Sequence, residues 1–315
     1  MFDHGRPARQ QGLTLVEILV AILISLILIA GVIQIFVGTR QTYRFQDALA
    51  RVQENGRFAA ETISRDVRLA GFVGCTTLIS VTPNPVPPLA VDYTRDTYIA
   101  AVPTGGAPAT QAPGTDSLTL RMLEPATMRL NVDMLNPGDV VTVPANLQGV
   151  QVGDVVGVAD CNNVDLFTVN AVAGAGPVTV TPNAPLRVAY VTGAELSRYR
   201  EVTYFVAPGA SGDLALWRRD DGVDTELVDG VEDLWVRYGE DLDNDGAPDA
   251  YVDAGAVIDW SRIRSVRIAL LLVSNEDNVT GGPQPVDFRG AAVAPADGRY
   301  RQVLTTTIGL RNRLP

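Results

Sequence analysis

The stretch LTLVEILVAILISLILIAGVIQIFV, Leu13 to Val37, is 25 residues long, and Glu17 is its only ionisable side chain. At 1.5 Å per residue a helix of that length rises about 37 Å, more than the roughly 30 Å of a bilayer's hydrocarbon core. A cleaved secretory signal has an apolar region of only about 7–15 residues, closed by a small-residue cleavage site. This run is longer and lacks such a site. It reads as a retained transmembrane helix. A carboxylate inside lipid is costly and marks a functional site, unless Glu17, lying near the end of the run, snorkels to the headgroups.

Beyond Val37 the helical pattern continues. Phe45, Leu49, Val52, Gly56, Ala59, Ile63, Val67 and Ala70 recur at steps of three and four, the signature of an amphipathic stripe. Arg51, Glu54, Arg57, Glu61, Arg65 and Asp66 fall on its other faces, and Gly71 and Gly74 suit a helix stop. One helix thus spans the membrane with residues 13–37 and packs on a globular body with residues 38–74. Residues 75–115 are rich in proline and glycine and read as a connecting region, in which Tyr93, Tyr98 and Ile99 are apolar enough to pack.

From 116 to 315 strand patterns dominate, from Leu118–Met122 through Val155–Ala159, Arg187–Val191 and Val266–Val273 to Val303–Leu310. The turns between them are rich in Asp, Asn, Gly and Pro, such as Asn136-Pro137-Gly138-Asp139 and Asp220-Asp221-Gly222. The fold class is α+β, a long N-terminal helix followed by a mostly antiparallel sheet.

Composition removes several functions. The 315 residues carry a net charge of −11, which argues against a nucleic-acid partner needing a basic face. There is no lysine, and His4 is the only histidine. A histidine relay, a histidine-held zinc, a Ser-Lys dyad and a lysine Schiff base are therefore excluded from the folded body. The reading is of a protein that is not an enzyme.

The junction Gln10-Gln11-Gly12 followed by Leu13-Thr14-Leu15-Val16-Glu17 resembles the signal of the type IV pilin family, a short basic leader ending in glycine, then an apolar residue, Thr, two apolar residues and Glu. The resemblance implies that a prepilin peptidase removes residues 1–12, cutting between Gly12 and Leu13, and that Leu13 becomes an N-methylated terminus. It makes Glu17 the fifth mature residue, whose carboxylate neutralises the α-ammonium of a neighbouring subunit in the filament core and sets its register. The cut removes Asp3, His4, Arg6 and Arg9, giving a mature net charge of −12 and no histidine.

The body resembles the PilW-type minor pilins, through RDVRLAGFVGC (65–75), GDVVGVADC (153–161), LVDGVEDLWVRYGEDLDNDGAPDAYVD (227–253), VRIALLLVS (266–274) and RQVLTTTIGLRNRLP (301–315). The segments are spread over nearly the full chain. This implies a type IV pilin-like fold and a role in priming pilus assembly or in its tip complex. The implied partners are other minor and major pilins, the prepilin peptidase, the inner-membrane assembly platform and the membrane itself. The implied location is a single pass through the inner membrane with a periplasmic body, followed by assembly into the extracellular pilus. A type II secretion pseudopilin shares the same leader and helix, and a calcium-dependent adhesive subunit displayed on the pilus is a third reading. A periplasmic enzyme ranks last.

Cys75 and Cys161 are the only cysteines. Outside the inner membrane an oxidising compartment favours a bridge between them, the alternative being two buried thiols. Asp241-Leu242-Asp243-Asn244-Asp245-Gly246-Ala247-Pro248-Asp249 has the spacing D-x-D-x-D-G-x-x-D, the first nine positions of a calcium loop. Alternating carboxylates there converge on Ca2+, Gly246 permits the sharp turn and Ala247 offers a carbonyl. At position twelve stands Val252 where a bidentate glutamate belongs, with Asp253 one residue later. The other reading is a solvated acidic turn. Asp220, Asp221, Asp224, Glu226, Glu232 and Asp233 read as a solvated face.

Overall fold

A computed structural model describes residues 14–89, 91–125, 128–293 and 295–313. One α-helix among them, α1, runs unbroken from Leu15 to Leu69, 55 residues. Its second half buries Val52, Gly56, Ala59, Ile63 and Val67 of the expected stripe against the body, while one turn earlier Ala48 is buried and the expected Leu49 only half-buried. Phe45 begins the docking, its ring edge-on to Tyr300 with centroids 5.4 Å apart. The helix stops where Ala70 leaves helical geometry and Gly71 turns back at φ +74°, a conformation only glycine adopts without strain. A Cβ on Gly71 would also meet the Tyr98 ring at 3.1 Å.

The strands follow in chain order. β1 (Asn84–Pro85) and β2 (Ile99–Ala100) lie in the connecting region. Then come β3 (Ser117–Leu123), β4 (Met128–Arg129), β5 (Val141–Val143), β6 (Val155–Ala159), β7 (Val164–Ala173) and β8 (Val178–Pro182). They are followed by β9 (Glu195–Pro208), β10 (Leu214–Asp220), β11 (Val223–Asp229), β12 (Val231–Glu240) and β13 (Ala250–Val252). β14 (Ile263–Val273), β15 (Val286–Phe288), β16 (Ala291–Val293) and β17 (Arg301–Gly309) complete the set. One large sheet runs β11-β10-β9-β6-β7-β8-β5, with β3 also pairing β9; a second runs β13-β12-β14-β17. All pairings are antiparallel except the short β1 on β7.

β9 joins two cores. Its first residues pair with β4 and β6, and Leu196 packs there with Val158, Phe167 and Tyr190. Its last residues pair with β3 and β10, and Val202, Tyr204 and Val206 face the larger core that holds Ile63, Val67 and Leu270. The connecting region packs on this larger core as expected, with Tyr93, Tyr98 and Ile99 buried.

Three expectations change. Arg187–Val191 is a loop. Its backbone is pinned by a side chain, since the Arg187 N–H and the Tyr190 hydroxyl both donate to Oδ2 of the buried Asp165, each at 3.0 Å. Conversely, Val223–Asp229 is a strand whose polar, exposed edge hid it. Its signal lay in Asp221-Gly222, which at φ +48° and +83° forms the two-residue hairpin turn from β10. Lastly, Asp66 faces the sheet.

The Asp66 carboxylate accepts from the Tyr204 hydroxyl at 2.6 Å and from Arg218 Nη2 at 2.9 Å. Burial, then the neighbouring Asp66 charge, pushes the Tyr204 phenol well above its ordinary range, so it stays a donor. Arg218 and Arg200 both hold Asp220. Of the acidic residues read as a solvated face, Asp224 pairs with Arg219, Asp233 with Arg289 and Glu232 with Arg301. The forked guanidinium suits such bidentate pairing.

Cys75 and Cys161 form a disulfide, Cα–Cα 5.2 Å, closing 86 residues between the turn after α1 and the turn between β6 and β7. In full-length protein held in detergent, replacing both by serine lowers stability by about 2–5 kcal/mol, read as a fall in Tm; an unchanged Tm would show that the bridge contributes nothing. At Gly56 a Cβ would stand 2.4 Å from Leu272 Cδ1 and 3.2 Å from Leu304 Cδ2. Gly56→Val should therefore cost about 1–3 kcal/mol in a urea titration. Gly38→Val, where a Cβ meets nothing within 4 Å, leaves the body's midpoint unchanged.

Candidate functional site: the helix start and the acidic loop

Thr14 caps α1 with its backbone extended and its Oγ1 accepting the Glu17 N–H at 3.3 Å. The pattern Thr14-x-x-Glu17 is that of a capping box, a signal present in the sequence but overlooked there. Glu17 lies in the first turn, where the aligned peptide dipoles favour a negative charge. Gly12, Leu13 and the bond between them lie outside the described residues.

Every residue from Thr14 to Arg44 is exposed, including Leu19, Leu23, Ile27, Ile33 and Phe36. Within this segment the Ser25 hydroxyl donates to the Ala21 carbonyl at 2.7 Å and the Thr42 hydroxyl to that of Gly38 at 3.0 Å. The helix thus satisfies these two side chains itself. What remains outward is an apolar cylinder that suits lipid or other helices and is poorly matched to water.

The acidic loop joins β12 to β13. Asp241 is fully buried; its Oδ2 accepts from Arg264 Nε at 2.9 Å and from the Gly246 N–H at 3.2 Å. Burial raises its pKa, but the Arg264 guanidinium and the Gly246 N–H outweigh that and hold it below the usual carboxylate value. Asp249 Oδ2 accepts from the N–H groups of Leu242 at 2.7 Å and Asp243 at 3.3 Å, folding the loop back on itself. Asn244 at φ +64° and Gly246 at φ +92° make the bends.

One carboxylate oxygen each of Asp241, Asp243 and Asp249 lies within 4.8 Å of the other two. The rest of the expected ligand set is placed otherwise. Asp245 accepts the Ala247 N–H at 2.7 Å and is not part of that group. Val252 pairs with Tyr238 on the sheet. Asp253, four residues past Asp249, is carried about 13 Å along extended chain at 3.3 Å per residue, and accepts from Trp235 Nε1 at 2.9 Å. The loop is therefore not an EF-hand, whose flanking helices and twelfth ligand are replaced by strands.

Residues 203–312 match the family model described as type IV pilus-assembly protein W, and residues 7–33 match the prokaryotic N-terminal methylation motif. The first match takes in the end of β9, the acidic loop and the β13-β12-β14-β17 sheet against which α1 docks; the segments 65–75 and 153–161 lie outside it. Comparison with curated proteins and with solved structures gives no match. A methylation motif thus opens the naked half of the helix, and a match to the type IV pilus-assembly protein W family covers the sheet that holds its other half, both supporting a PilW-type pilin.

Proposed function

We propose that the chain is a minor pilin of the inner membrane, cut after Gly12 by a prepilin peptidase, that enters the type IV pilus with its apolar helix in the filament core and takes part in priming or tip assembly. The observation that carries this reading is the division of α1. Residues 45–69 dock on the body, with Arg44 pairing to Glu276 at the edge of the contact, while residues 14–43 stay exposed. A helix so divided serves two surroundings in turn, lipid before assembly and neighbouring helices after it.

Glu17 supports the same reading. The next ionisable side chain along the mature helix is Arg40, 23 positions and about 35 Å away. No cationic side chain of its own helix reaches it, so its partner in a dry filament core is a terminal α-ammonium, its own or that of another subunit. We take the α-ammonium of a neighbour's Leu13 to be that partner. The charge pair fixes axial register, because a subunit displaced along the bundle leaves a buried carboxylate unpaired, at about 3–5 kcal/mol. In this setting the rest of the body, lacking lysine and histidine, serves as a structural surface for other pilins.

Glu17→Gln keeps the size of the side chain and removes its charge. The variant should insert in the membrane and fold normally, as read by intact disulfide and protease resistance, yet be strongly depleted from sheared pili. Incorporation at the normal level would remove the register role. Deleting the gene should abolish piliation; loss of protein secretion with normal pili would instead identify a secretion pseudopilin.

A further inference from the structure

The geometry points to a calcium site of three carboxylates, Asp241, Asp243 and Asp249, in the β12–β13 loop, distinct from the helix chemistry of pilus assembly. An acidic turn exposed to water needs no cation, and Asp243 and Asp249 alone would be such a turn. Asp241 is different. It is fully buried, and while its Oδ2 is engaged by Arg264 and Gly246, its Oδ1 is buried and makes no hydrogen bond. A buried carboxylate oxygen left without a partner is costly. A cation bound by Asp241 together with Asp243 and Asp249, each of which brings one carboxylate oxygen within 4.8 Å of the other two, would supply that partner.

The chemistry selects calcium. All three ligands are hard carboxylate oxygens, with no thiolate or imidazole, a set that suits hard cations better than zinc or copper. Ca2+ accepts six to eight oxygens at about 2.3–2.6 Å in a flexible geometry, whereas Mg2+ at about 2.0–2.1 Å demands a near-octahedral cage. Three carboxylates on a loop bent at Asn244 and Gly246 form an open, adjustable set, and water completes the coordination. The ion would fasten the loop to β14, because Asp241 is itself anchored through Arg264.

The test uses full-length protein in detergent, stripped with EGTA and titrated with CaCl2 by calorimetry, with Tm read in parallel. One ion should bind per chain, Tm should rise, and MgCl2 at the same concentration should not saturate the site. Asp243→Asn with Asp249→Asn keeps acceptors for the loop N–H groups and should weaken binding at least tenfold, whereas Asp253→Asn leaves it unchanged. No heat and no change in Tm in the wild-type protein by about 10 mM CaCl2, above the weakest extracellular calcium modules, would overturn the site. So would a double variant that binds as well as wild type, and equal saturation by MgCl2 would overturn the choice of ion.

Discussion

The apolar surface of α1 between residues 14 and 37 finds no cover among the described residues, and the rest of the architecture is arranged around that fact. Each leucine or isoleucine moved from water to an apolar setting gains about 1.5–3 kcal/mol, so the segment is held firmly in lipid until something equally apolar replaces it. Packing among helices gives little hydrophobic gain over lipid, which makes polar contacts the features that fix orientation. Glu17, the only ionisable side chain of the run, carries that role in the proposed reading. Thr14 meanwhile starts the helix cleanly three residues before it.

The same helix then needs a firm attachment to the body. Small residues serve the docking, because Gly56 lets α1 approach Leu272 and Leu304 closely. Asp66 adds a polar clasp, tying the last turns to Tyr204 and Arg218 on the large sheet. Beyond the end of the helix, Cys75 fixes the outgoing chain to Cys161 in the turn between β6 and β7. The body uses arginine throughout for its ion pairs, each guanidinium reaching one or two carboxylates at the sheet surface, as Arg301 does with Glu232 and Asp297.

Helical periodicity made α1 legible, because the 3.6-residue repeat of its stripe and the uninterrupted apolar run are both local properties. The strand-rich body was legible for the same reason. What escaped depended on distant partners. Arg187–Val191 has a strand's composition, yet a single buried carboxylate, Asp165, competes for its backbone. Asp66 looked like one more charged helix residue, and only the position of Arg218, 152 residues later, puts it inside. In the acidic loop the spacing announced convergent carboxylates. It did not reveal that β13 carries Asp253 away or that Arg264 stands behind Asp241, both being consequences of sheet pairing.

In the proposed reading the naked half of α1 exchanges lipid for the helices of other pilins. Its most direct test is a photo-cross-linking residue placed at Leu28, an exposed position in the middle of that half, with adducts identified from piliated cells. Adducts between this chain and other pilin subunits, lost when filament assembly is blocked, are the predicted result. A protein that cross-links only to lipid, in piliated and non-piliated cells alike, would contradict it.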